Sequence, residues 1–313
     1  MKTIKINDQV ALTEIAMGAL HPKNEDSPKI MDRYFEAGGR VFDSARHYFA
    51  GEYDAFLGNW IKERRLRDLV TYCAKGCHPA DASKMYLSRL SKEEIKGDLE
   101  LSLKTAGIEQ ADLYLLHRDN PRLPVEDIIL AMNELVKEGK TKVIGVSNWT
   151  AMRIAKANAF AKENGLTPFS VCQLHYSLAQ TTPAATVDVT HVPMNNIEYD
   201  WFLSNDFPVM AFSSQAKGFF SQMESGVPLK ETVKKHYSYF PENLRRAERA
   251  AVLAKKHGVT GSAIALAYLL ANPLRASALV GFSSMAQFEQ SIKALSVNLS
   301  SEEVRYLETG LQS

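Results

Sequence analysis

Charge of either sign in excess, cysteine, long apolar runs and glycine-rich phosphate loops are all scarce or missing here. Basic residues number 37 and acidic residues 36, a net charge of +1. That leaves no electrostatic footprint for nucleic acid or an anionic membrane. Three cysteines in 313 residues, an odd number, argue against a disulfide framework and for a reducing compartment. The longest strongly apolar stretch, residues 263–271, is about half of what a membrane span needs. Residues 1–13 hold two early lysines and no apolar core of the kind a secretory signal carries. The expectation is a cytoplasmic protein with no membrane or nucleic-acid partner. No Pro/Gly/Ser-rich linker divides the chain, so its length reads as one domain, 1–313, rather than two. With 45% hydrophobic and 23% charged residues, disordered, collagen-like and fibrous classes are excluded.

What is present is a repeated unit, a short apolar run followed by an amphipathic helical pattern. The apolar runs fall at 15–20, 41–43, 69–74, 111–116, 142–146, 169–174, 208–212 and 276–280. Ser27-Pro28 opens the first helix and Gly38-Gly39 closes it, with serine as N-cap, proline at the first position and glycine past the end. Further helices are predicted over 52–64, from Ser91 onward, and over 124–137, 150–162, 194–203, 241–257, 260–271 and 284–295. A last one starts at Ser300. Ser91 and Glu94 form a capping box ahead of Ile95, Leu99, Leu103 and Ala106, which share one face. Near-continuous apolar strands alternating with helices imply a parallel sheet buried on both faces. Eight such units predict an α/β fold: a single (β/α)8 TIM barrel. Residues 3–6 and 9–13 predict a short N-terminal β-hairpin, and the helix at Ser300 is an extra C-terminal one.

Such a barrel places its chemistry where strands end and the following loops begin. Those positions hold Gly18, Asp43, Lys75, His117, Ser147, Asn148, Gln173, Phe212, Ser213 and Gly281. Nearly all are polar or glycine, which packing alone does not require. Asp43, Lys75 and His117 follow the second, third and fourth strands, and Tyr48 lies in the loop after Asp43. A lysine beside an aspartate at a barrel mouth forms an ion pair in low dielectric. Its ammonium is expected to lower the pKa of a neighbouring phenol. Such a phenol gives up a proton near neutral pH and takes it back in the reverse direction. Taken singly, each residue has a plainer reading: a helix cap, loop packing, a satisfied core histidine. The ordered set at consecutive strand ends is what those readings leave unexplained.

These segments resemble the aldo-keto reductases. The resemblance is carried by Phe42-Asp43-Ser44-Ala45 with Tyr48 and Gly51-Glu52, by Lys75 in 71–76, and by Asp112-Leu113-Tyr114-Leu115-Leu116-His117. Gly139-Lys140 leading to Ile144-Gly145-Val146-Ser147-Asn148 completes it, and essentially the whole chain is covered. It implies an NAD(P)H-dependent oxidoreductase reducing an aldehyde or ketone, with sugars and other polar carbonyls among the candidates. Tyr48 would be the general acid, Asp43 and Lys75 would tune it, and His117 would orient the carbonyl. The family holds its dinucleotide without a Gly-x-Gly-x-x-Gly unit, consistent with the absence of one here. Implied cofactor contacts are Met17 and Gly18 beneath it, Asp43, Ser147, Asn148 and Gln173 at the carboxamide end, and Phe212 against the ring. Ser213, Ser214, Gln215, Lys217 and Gly218 would follow the pyrophosphate, and Gly281, Ser283, Gln287, Gln290 and Ser291 would form the last loop. Many relatives carry Glu-Asn where this chain has Gln290-Ser291, and no basic residue lies between Gly281 and Gln290 to meet a 2′-phosphate. Neutral donors bind a dianion more weakly than charged ones. The expectation is use of either NADP(H) or NAD(H), with a modest preference.

Substrate contacts are expected from the long loops. Trp149, His47 and His78 are the candidates, with Phe49, Tyr86, Arg89, Tyr237, Tyr239 and the segments 181–193 and 218–240 behind them. Cys73 and Cys77 beside His78 offer too few ligands for zinc, so no metal is predicted. Two rivals stay open: a nucleotide-binding regulatory subunit of low turnover, and a metal-dependent barrel lyase or hydrolase using His117 and His175. Substrate and oligomeric state are left undetermined.

Overall fold

The computed structural model describes residues 1–79, 81–85, 87, 89–186 and 188–311. Tyr86 lies outside them. Strands β1 (Thr3–Lys5) and β2 (Ala11–Thr13) pair antiparallel as the expected hairpin. The barrel strands are β3 (Ile15–Met17), β4 (Val41–Asp43), β5 (Thr71–Gly76), β6 (Ala111–Leu116), β7 (Thr141–Ser147), β8 (Cys172–His175), β9 (Val209–Phe212) and β10 (Ala276–Val280). They close in the order β10-β3-β4-β5-β6-β7-β8-β9, every neighbouring pair parallel. The helices are α1 (Ser27–Glu36), α2 (Glu52–Arg64), α3 (Lys92–Ala106), α4 (Val125–Lys137), α5 (Ala151–Glu163), α6 (Pro183–Thr186) and α7 (Asn196–Ser204). They continue with α8 (Phe219–Ser225), α9 (Glu231–Val233), α10 (Pro241–His257), α11 (Gly261–Ala271), α12 (Met285–Ile292) and the extra C-terminal α13 (Ser301–Thr309).

The alternation of side chains along a strand builds two cores and the site together. Ala16, Val41, Cys73, Leu113, Leu115, Val143, Val171, Met210 and Leu279 fill the barrel, and Val10 and Leu12 of the hairpin segment join them. The out-of-phase residues Met17, Phe42, Tyr72, Tyr114 and Ile144 pack against the helices instead. Two residues on from the interior set, the same parity turns Asp43, Lys75 and His117 inward at the tops of the strands. Ser147, Gln173 and Phe212 follow the same rule. Period-2 geometry therefore selects the polar ring at the barrel mouth.

A few boundaries differ from the sequence expectation. Asp26, not Ser27, precedes α1, and the Ser27 hydroxyl donates to the His21 carbonyl at 2.8 Å rather than capping the helix. The sixth strand begins at Cys172 because Phe169 is held by the side chain of Asn158 on α5, through two 2.8 Å bonds. The third starts at Thr71, since residues Arg67–Leu69 form a 3-10 turn with Leu69 exposed. The capping boxes at Ser91–Glu94 and Ser300–Glu303 both form.

Candidate active site

At the mouth, Lys75 Nζ donates to both carboxylate oxygens of Asp43 at 2.5 Å, and neither residue is exposed. Gln173 Nε2 donates to the same carboxylate at 2.9 Å. Burial works against the Lys75 ammonium, but Asp43 and Tyr48 outweigh it and raise its pKa, so it stays charged. The loop after β4 is pinned to α2, since Ser44 Oγ donates to the buried Asp54 carboxylate at 2.5 Å. It then turns through left-handed backbone at Phe49 (φ 51°), Ala50 (φ 53°) and Gly51 (φ 90°). At Gly51 this left-handed backbone strains any residue with a Cβ, so the turn favours glycine. The turn presents Tyr48 with its ring centroid 4.8 Å from Lys75 Nζ and 5.8 Å, edge-on, from His117.

One expectation is corrected here. Lys75 and Arg118 do pull the Tyr48 phenol down, but burial outweighs them and Asp43 opposes them, so its pKa is raised, not lowered. His117 moves the other way: burial, then Arg118, Lys75, His78 and His47, hold it well below the ordinary imidazole value, so it is neutral. Its Nδ1 is buried with no hydrogen-bond partner.

A groove of about 980 Å³ runs outward from this cluster. Asp43, His47, Tyr48, Phe49 and Phe212 line its inner end. Gly18, Ser213, Ser214, Gln215, Lys217 and Gly218 follow, and Gly281, Ser283, Gln287, Gln290 and Ser291 line the outer end. Left-handed backbone recurs in the loops after the strands, at Ser213 (φ 53°), Ala216 (φ 48°) and Lys217 (φ 53°) along the groove and at Cys77 (φ 65°) and Asn148 (φ 58°) beside the cluster. Strained backbone of this kind concentrates at ligand sites. Ser147 and Asn148 are buried beside the cluster and bonded to each other at 3.0 Å. His47 and His78 stack face to face, centroids 3.9 Å apart, and His78 meets the His117 ring at 4.8 Å.

Other expected residues fall elsewhere. Trp149 is fully buried against Phe169, with Arg153 over its ring, so it faces the core beneath α5 and not a substrate. The Met17 side chain also lies in the helix-side core and does not line the groove. Arg89 is spent on Asp98 and Glu94 of α3, Tyr239 is exposed, and Tyr237 bonds His175 at 3.0 Å. Among the described residues no group of three or more His, Cys, Asp or Glu is arranged to hold a metal ion. Lys230, which lines the groove from the segment before α9, falls within the expected 218–240 loop, but no strand-end rule or motif singles it out. Arg118 was missed, although it directly follows His117.

The sequence profile of the aldo/keto reductase family matches residues 14–311. A norsolorinic acid reductase of Aspergillus flavus is 25% identical over 89% of this chain and 70% of its own. A probable aryl-alcohol dehydrogenase of Saccharomyces cerevisiae is 25% identical over 94% of this chain and 89% of its own. A probable aldo-keto reductase of Glycine max is 26% identical over 90% and 78%. With its closed barrel and a family profile spanning nearly its whole length, the chain belongs to the aldo/keto reductase family of oxidoreductases.

Proposed function

We propose that this protein is a single-domain, cytoplasmic NAD(P)H-dependent reductase of aldehydes or ketones. The observation that carries the reading is the meeting of the buried Lys75–Asp43 pair, Tyr48 and His117, with Asp43 and Tyr48 lining the inner end of a long groove. The groove's size and donors fit a dinucleotide. Phe212 offers a flat ring at the inner end, neutral Ser and Gln side chains run along the walls, and Lys217 and Lys230 supply positive charge for phosphates. Bound there, the dinucleotide supplies hydride to the carbonyl carbon.

The chain's own residues do the rest. Tyr48, kept protonated by burial, passes its proton to the carbonyl oxygen, and the Lys75 ammonium stabilises the phenolate left behind. Asp43 holds Lys75 in place. Because Nδ1 of His117 has no partner, an orphaned N–H there would be the costlier tautomer. The ring proton then sits on Nε2, as a donor for the substrate oxygen. Gln173, Ser147 and Asn148 would bind the carboxamide, and His47, His78 and Phe49 would form the substrate wall. Lys230 offers a cation that the last loop lacks, so both dinucleotides are accepted with NADPH modestly ahead.

The test is consumption of NADPH and of NADH across aldehydes, ketoses and aryl carbonyls, with aryl alcohols assayed in reverse. Turnover of any of these supports the reading. Tight dinucleotide binding with no turnover on the whole panel overturns it in favour of a regulatory subunit.

A further inference from the structure

Arg118 follows His117 directly, is 5% exposed, and beyond its charge acting on Tyr48 and His117 has been given no role so far. Its guanidinium spans two loops. Nη1 donates to the His117 carbonyl at 2.8 Å, and Nε donates to Thr190 Oγ1 at 3.0 Å. Nη2 donates to Asp188 Oδ2 at 2.9 Å and reaches His191 Nε2 at 3.1 Å. On the far side, Thr190 donates through its backbone N–H (3.0 Å) and its hydroxyl (2.5 Å) to Asp188 Oδ1. The His191 ring lies 5.5 Å from Phe212. A planar, five-donor guanidinium suits such a junction and a lysine does not.

The geometry points to Arg118 as a positioning residue. It fastens residues 188–191 to the main chain of His117, so that the His191 ring is held against Phe212 near the inner end of the groove. The bonding fixes a protonation state as well. A guanidinium only donates, so His191 Nε2 must accept, which leaves its proton on Nδ1 toward Thr186 Oγ1 at 3.1 Å. A protonated His191 would lose that bond and turn toward Asp188, 3.3 Å away.

The charges around the rings fit this arrangement. His191 faces Arg118, Asp188, Lys217 and His236; with burial the main cause, it is pushed down to about 4. His78 faces Arg118, His47, Asp188 and the Pro79 carbonyl; burial again leads, and it is also pushed down to about 4. His47 is lowered by burial and then by Arg118. Burial opposes Asp188, but Thr190, His191 and Arg118 hold it down to about 2. Arg118 thus disfavours imidazolium around the mouth, and Asp188 works in the opposite sense on His78 and His191.

That opposition supplies the test, made on the full chain. Histidine ring resonances are titrated by NMR, and steady-state kinetics are measured, for the wild type and for Arg118→Met, Arg118→Lys and Asp188→Asn. In Arg118→Met, His78 and His191 should titrate about one pH unit higher. In Asp188→Asn they should stay neutral at every pH where the chain remains folded. Arg118→Lys keeps the charge and loses the fork, so its titrations should stay near wild type while KM rises about tenfold with kcat less affected. A residue acting only as structural filler would loosen the loop in both Arg118→Met and Asp188→Asn and expose the rings, moving both titrations upward together. That result, or wild-type KM in Arg118→Lys, overturns the proposal. The kinetic arm rests on the carbonyl-reductase reading. The titration arm needs no turnover, so failure of one is distinguishable from failure of the other.

Discussion

At the scale of single residues, the site widens the gap between the titrations of a phenol and an imidazole. Tyr48 stays protonated beyond the ordinary phenol range because burial outweighs Lys75, and His117 stays neutral because burial and neighbouring cations agree. The sign of the pH dependence follows. On the proposed mechanism reduction needs the phenol, so kcat/KM should hold level through neutral pH and fall only as pH rises past the raised Tyr48 value. Alcohol oxidation needs the phenolate and should rise over that same alkaline range. Lys75→Met removes the charge that pulls Tyr48 down, so the alkaline limb should move higher still; pH–rate profiles of both proteins check this. Asp43→Asn should be costly to the fold as well, because it strands a buried ammonium. A loss of about 3–5 kcal/mol in denaturant unfolding is expected. That Asp43, Lys75 and His117 meet at the barrel mouth was legible because strand parity and order mark them, whereas Tyr48, in the loop after β4, was marked by the family resemblance. The direction of the Tyr48 shift was not legible, because it depends on how deeply the 44–52 turn buries the ring. Arg118 and Lys230 gain their meaning only from partners or a groove assembled from distant loops.

At the scale of elements, the chain reads as strands with a fixed inward face and helices with caps. Most boundaries were therefore visible in sequence to within a residue or two. Those that moved did so for local reasons, a side chain from α5 in the case of Asn158 at Phe169 and a 3-10 turn at Arg67–Leu69. Trp149 shows the limit of reading by adjacency. It follows Asn148, yet the left-handed backbone at Asn148 (φ 58°) precedes a ring sent into the core beneath α5. Helix packing depends on similar local detail. A Cβ on Gly58 of α2 would lie 1.9 Å from the Ala106 carbonyl oxygen at the end of α3. Gly58→Ala must push the two helices apart, and overpacking of this kind costs about 1–3 kcal/mol. Urea unfolding should show a lower midpoint with an unchanged m-value.

At the scale of the whole molecule, closure of the barrel brings loops from every part of the chain to one mouth. A ligand held there should stabilise all of it. A dinucleotide at one hundred times its Kd adds about 2.7 kcal/mol. Both NADPH and NADH should therefore raise the melting temperature, NADPH slightly more, and Lys230→Ala should narrow that difference. Near-neutral net charge gives the surface no general pull on phosphate, so on the proposed reading discrimination would rest on Lys217 and Lys230 of the groove. The central claim, that this barrel moves hydride to a carbonyl with Tyr48 as the acid, is tested most directly by Tyr48→Phe. Dinucleotide affinity and turnover would be measured side by side with the wild type on a carbonyl that the wild type reduces. The account predicts unchanged affinity and a fall in kcat of about a hundredfold or more. Full turnover in Tyr48→Phe would contradict it.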